Sequence, residues 1–204
     1  MGLARAERAD LADLLAGLTP EQWDAETLCA GWRVRDVVAH VYSYEDVGFT
    51  GFLARFVRAG LTPERANARS LAEQADLSPL ELVARARRCV QPRGFTTLFG
   101  GRIALVDAVI HHQDIRRPLG LVREIPPERL TVALEFARTA PPIGARKRIA
   151  GLRLVATDLG WAAGDGPSVE GPGEAVLMAM AGRRGVVDEL SGPGAATLRE
   201  RVAG

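Results

Sequence analysis

The chain has 204 residues, a formal net charge of +1, and 25% charged and 47% hydrophobic residues, the balance of an ordinary globular protein long enough to bury a sizeable core. Near-neutral charge excludes a general electrostatic pull toward nucleic acid or anionic membrane, and no stretch approaches the roughly 18 uninterrupted apolar residues of a membrane span. The first residues show no secretory h-region, and two cysteines, Cys29 and Cys89, make no disulfide framework, so the expectation is a soluble cytoplasmic protein.

From about Ala4 to Leu18, apolar residues recur at helical spacing, with Leu11, Leu14, Leu15 and Leu18 as a stripe, which predicts a first helix. Thr19-Pro20 reads as an N-cap followed by proline at the first helical position, opening a short helix that carries Trp23. A third helix is predicted from about Val34 to Val57, with Val34, Val37, Val41 and Tyr44 on one face and His40 at its edge. The polar stretch from Leu61 to Ala75 reads as a loop or lid with some helix, shaping a pocket entrance. Ser78-Pro79 caps a helix running to about Val90.

The segment Gly101 to Gly120, "GRIALVDAVIHHQDIRRPLG", is apolar nearly all round, as expected of the central element of a bundle. Pro126-Pro127 opens a further helix to about Thr139, and Pro141-Pro142 ends it. Beyond Gly144 the texture changes to short alternating runs through Leu152, Leu154 and Ala156, then helical segments, predicting two or three strands and two helices. The fold class is therefore α+β, predominantly α: a helical bundle over 1–142 and a small α+β domain over 143–204.

The chemistry sits on the central helix. Asp107 and His111 are four residues apart, so both side chains project from one face about 5–6 Å apart at Cβ. A carboxylate among Ile103, Val106 and Ile110 is costly to bury without a partner. A divalent metal held by these two groups and a histidine from another helix would have three N/O ligands and one open position, the pattern of a catalytic rather than a structural ion. An inert alternative is a plain Asp107–His111 or Asp107–arginine pairing in the core. Asp114 returns to nearly the same face and either orients His111 or pairs with Arg116 or Arg117. His112 projects about 100° round the helix from His111 and faces a different neighbour. Cys29 and Cys89 lack a CxxC partner or a sequence-local histidine and read as structural thiols.

Three segments, "LCAGWRVRDVVAH" (Leu28 to His40), "DAVIHHQDIRRPLG" (Asp107 to Gly120) and "GLRLVATDLGWAAGDGPSVEGPGEAVLMAMAGR" (Gly151 to Arg183), together resemble the mycothiol-dependent maleylpyruvate isomerase family of the DinB-like metalloprotein superfamily. The resemblance implies a DinB-like four-helix bundle, a divalent metal, usually zinc, and mycothiol or a similar low-molecular-weight thiol as cofactor. By position, His40 and His111 match the family's first and last metal ligands. Asp107 stands where the family usually has glutamate and reaches about 1.5 Å less far, so the helix must sit closer or affinity drops. Arg183 matches an arginine that would bind a carboxylate of substrate or thiol.

The function implied is a metal-dependent, thiol-dependent transferase or isomerase acting on a small electrophilic substrate, with a metal-bound thiolate as nucleophile. Two alternatives compete. One is a non-catalytic small-molecule or partner-binding bundle with weak or absent metal. The other is a metal-dependent hydrolase in which Asp114 or Glu45 supplies a base.

Overall fold

The computed structural model describes residues 1–45, 51, 54, 57, 60 and 62–204. Two compact units divide it, Met1–Val122 and Arg123–Gly204.

In the first unit, α1 (Gly2–Ala16), α3 (Val34–Tyr42), α5 (Pro79–Arg88) and α6 (Leu98–Arg116) form a four-helix core, α1 and α3 each packing on both α5 and α6. The seam is the stripe expected from the sequence. Leu11 and Leu15 of α1 meet Val34, Val37, Val41 and Tyr42 of α3, Leu82 and Ala86 of α5 and Ile115 of α6, all of them buried. Burial of each such side chain contributes about 1.5–3 kcal/mol, enough for α3 to be a helix despite its valines, which resist helix formation in isolation.

The ends are set by local chemistry. Thr19 caps α2 (Pro20–Trp23), its hydroxyl accepting from the Gln22 amide while the Gln22 side chain accepts from the Thr19 amide. Ser78 and Glu81 do the same at α5. The third helix ends at Tyr42, and residues 43–45 form a turn; the predicted extension toward Val57 passes into residues 46–50, outside the described residues. The polar stretch expected as a loop or lid with some helix contains α4 (Pro63–Ala72), with Leu61 outside the described residues.

At the start of α6, Phe99, Gly100 and Gly101 have φ of 56°, 70° and 83°, so the regular right-handed helix begins at Arg102. A Cβ at Gly101 would lie 2.6 Å from the Met1 sulfur. The Met1 amine donates to the Gly100 carbonyl at 2.8 Å, which ties the residue preceding α1 to this turn.

The second unit begins with α7 (Pro127–Ala137), which packs on α9 (Gly173–Met180). That contact groups α7 with the C-terminal elements, so the change of unit falls at Val122–Arg123 where the sequence suggested residue 142. The mixed sheet has the order β2-β1-β3. β1 (Arg153–Ala156) is antiparallel to β2 (Trp161–Ala163) and parallel to β3 (Ser168–Gly171), with Leu154 opposite Ala163 and Val169. Leu152, Leu154 and Ala156 are buried, as the alternation predicted. Helix α9 is buried on every side, in keeping with its run of Ala, Val, Leu and Met. The short α8 (Ala145–Ile149), a 3-10 segment at Arg184–Glu189 and α10 (Ala195–Ala203) complete the unit. No helix among the described residues is long and apolar enough to cross a membrane.

Candidate metal centre

Helices α3 and α6 are in contact and bring His40, Asp107 and His111 together. Asp107 Oδ1 lies 3.9 Å from His40 Nε2 and 3.6 Å from His111 Nε2, and one donor atom from each residue falls within 4.8 Å of the others. Tetrahedral zinc with bonds of about 2.0–2.1 Å needs donors about 3.3–3.4 Å apart, a few tenths of an ångström from the separations seen. The donor set of two imidazoles and one carboxylate suits zinc. The shorter aspartate does not prevent convergence, because α6 lies close enough to α3 for its carboxylate to reach both histidines.

Rings and hydrogen bonds aim these ligands. The imidazole of His40 is flanked by Trp32 at 5.1 Å and Tyr44 at 5.8 Å between ring centroids, and it meets His111 edge-on at 5.0 Å. His111 Nδ1 lies 2.9 Å from Asp114 Oδ2, and Asp114 is fully buried. With Nδ1 protonated toward that carboxylate, Nε2 faces Asp107, the arrangement by which carboxylates fix the tautomer of a metal-binding histidine. Arg116 Nε donates to His112 Nε2 at 2.9 Å. His112, fully buried, therefore carries its proton on Nδ1, 2.9 Å from Glu7 Oε1. It belongs to the α1–α6 interface.

Cys29 is the residue the sequence reading did not place here. Its thiol donates to Asp114 Oδ2 at 3.1 Å and lies 3.8 Å from His111 Nδ1. The same loop is tied to α6 through the backbone, the Leu28 amide donating to the Asp114 carbonyl at 3.1 Å. The sequence signal was the short Cys29-Ala30-Gly31-Trp32 break before α3, but 85 residues separate Cys29 from Asp114, and no local pattern links them. Cys89 is buried, and its carbonyl accepts from Arg8 Nη1.

Burial pushes the Asp107 carboxyl up, against the opposing pull of His111 and Arg8. Burial acts to lower the His111 imidazole, but the hydrogen bonds with Asp114 and Cys29 and the Asp107 charge outweigh it, so His111 is pushed up to about 10. A cation bound at Nε2 must therefore displace a proton at neutral pH. Apparent zinc affinity is expected to rise about tenfold per pH unit from pH 6 to 8, measured by chelator competition at three pH values. Removing the orienting carboxylate with Asp114→Asn is expected to weaken zinc binding about 10–100-fold, read in the same competition.

Residues 4–94 match the family model described as Mycothiol maleylpyruvate isomerase N-terminal domain. Over these residues the N-terminal unit is similar to that domain. The match to the mycothiol maleylpyruvate isomerase N-terminal domain includes Cys29 and His40 and stops before Asp107. Likeness of fold extends further. Two crystal structures, of the mycothiol-dependent maleylpyruvate isomerase and of its histidine-to-alanine mutant, each align over 95% of this chain and 91% of theirs, with a TM-score of 0.62 and 17% identity. No curated protein matches the chain. Arg183, the arginine singled out by resemblance to the mycothiol maleylpyruvate isomerases, follows α9 in the second unit and donates from Nη1 to the Ala181 carbonyl at 3.1 Å.

Proposed function

We propose that the chain is a divalent-metal-dependent enzyme that uses mycothiol or a similar thiol to isomerise, or transfer the thiol to, a small electrophilic substrate. The convergence of His40, Asp107 and His111 supports this reading most directly. When bound, a divalent ion, most simply zinc, would supply the positive charge that lowers the pKa of a thiol beside it.

The chain's own residues have separate tasks in this reading. His40 and His111 supply neutral imidazole nitrogens and Asp107 one negative charge. Asp114 and Cys29 keep His111 from rotating. Arg183 is assigned the binding of a carboxylate, for which its fork of donors is suited. No serine or cysteine nucleophile is required.

The hydrolytic alternative loses its candidate bases. Glu45 is fully engaged with Arg8, the Arg93 amide and the Thr96 hydroxyl, and Asp114 is engaged with His111 and Cys29. The non-catalytic alternative drew its support from the shorter carboxylate, which reaches both histidines.

The test is isomerisation of maleylpyruvate by the zinc-loaded protein with and without mycothiol, alongside thiol consumption. Thiol-dependent turnover that disappears in His40→Ala is expected, with constant thiol marking isomerisation and falling thiol marking transfer. Turnover that ignores added thiol would overturn the reading.

A further inference from the structure

The second unit carries a recess of about 480 Å³ walled by Arg146, Lys147, Arg148 and Arg201 and otherwise by uncharged residues from Ala140 to Gly144. This volume lies within the range of small-molecule sites. Eleven basic and ten acidic residues lie between 123 and 204, so the unit is close to neutral, yet no acid lines the recess. None of these four cations pairs with a carboxylate among the described residues.

Two of the cations are held in place by backbone. Arg148 Nη1 donates to the carbonyls of Ile143 and Met180 at 2.7 and 2.8 Å. Arg201 Nη1 donates to the carbonyls of Arg148 and Ala150 at 2.8 and 2.7 Å. Each guanidinium is thus anchored through one nitrogen, leaving Nε and Nη2 without a protein acceptor among the described residues. Room for Arg148 comes from Gly182, whose φ is +84° and where a Cβ would lie 2.8 Å from Arg148 Nη2. Anchored arginines lose little freedom when they bind a planar or tetrahedral oxyanion, which is how such sites gain affinity.

We propose that this recess binds a compact polyvalent oxyanion of the phosphate class, gripped by Arg148 and Arg201 and drawn in by Arg146 and Lys147. A single carboxylate would leave most of the four charges unanswered, whereas a phosphate group offers several acceptor oxygens to two guanidinium forks. Burial and the neighbouring Arg183 hold the Arg148 guanidinium below its ordinary value, a repulsion that a bound anion relieves. The inference stands apart from the metal centre, which lies in the first unit.

The test is isothermal titration of the full chain with inorganic phosphate, with acetate as the comparison anion. Phosphate is expected to bind at least about tenfold tighter than acetate, with affinity falling as salt rises. The double variant Arg146→Gln/Lys147→Gln alters only exposed side chains and is expected to weaken phosphate binding about tenfold with an unchanged unfolding midpoint. Asp107→Ala is expected to leave phosphate binding intact, which separates the recess from the metal centre. Equal affinity for the two anions, or undiminished binding by the double variant, would overturn the proposal. So would capture by phosphatidic acid vesicles without binding of free phosphate.

Discussion

Asp107→Ala is expected to lower zinc affinity by more than the roughly 100-fold that loss of an orienting residue costs, and to bring zinc content after purification close to zero. The carboxylate is the only negative ligand of the proposed set, and its Oδ1 lies between the two histidines at 3.9 and 3.6 Å. Without it two imidazoles remain, with no charged ligand between them. Elemental analysis of protein purified without a histidine tag checks the expectation. Far-ultraviolet circular dichroism should be unchanged, because Asp107 is partly exposed and not part of the hydrophobic seam. Zinc retained at one equivalent in the variant would place the metal elsewhere.

The second large effect concerns stability. Arg8 and Glu45 form an ion pair of 2.7 Å with side-chain exposures of 0% and 1%. Glu45 also accepts from the Arg93 amide at 2.8 Å and the Thr96 hydroxyl at 2.8 Å, and Arg8 donates to the Cys89 carbonyl at 3.1 Å. The pair joins α1 to the turn after α3 and to the segment preceding α6. Removing one partner leaves a buried charge unanswered, so Glu45→Ala is expected to destabilise the first unit by about 3–5 kcal/mol. Replacing both partners together with methionine is expected to recover most of that loss, because two apolar side chains leave no orphaned charge. Denaturant unfolding of the two variants beside wild type distinguishes this from simple loss of packing, in which the double variant would be the less stable.

Much of the fold was legible because it rests on local signals. The stripe of Leu11 and Leu15, the caps at Thr19 and Ser78 and the alternation at Leu152, Leu154 and Ala156 each act within a few residues. What was not legible depends on contacts between distant segments. The grouping of α7 with the C-terminal elements follows from its packing on α9, which no pattern within Pro127–Ala137 encodes. The left-handed turn at Phe99 to Gly101 is set partly by Met1. In the site, Asp107 and His111 were readable from their four-residue spacing, and His40 only through family resemblance. No local pattern tied Cys29 to Asp114, 85 residues away. Glu45, considered as a base from its type alone, belongs to a buried ion pair with a residue 37 positions away and accepts from a hydroxyl 51 positions away. The buried polar residues thus divide into a set facing the metal centre and a set holding helices together, and only geometry separates them.

The most direct test of the proposed function is the electronic spectrum of the cobalt-substituted protein before and after addition of mycothiol. A Cys29→Ser background removes the chain's own nearby sulfur. One equivalent of cobalt is expected with no sulfur-to-metal charge-transfer band, followed by appearance of that band as the thiol is added, with Asp107→Ala showing neither. A cobalt spectrum that saturating thiol leaves unchanged would contradict the thiol-dependent reading of this centre.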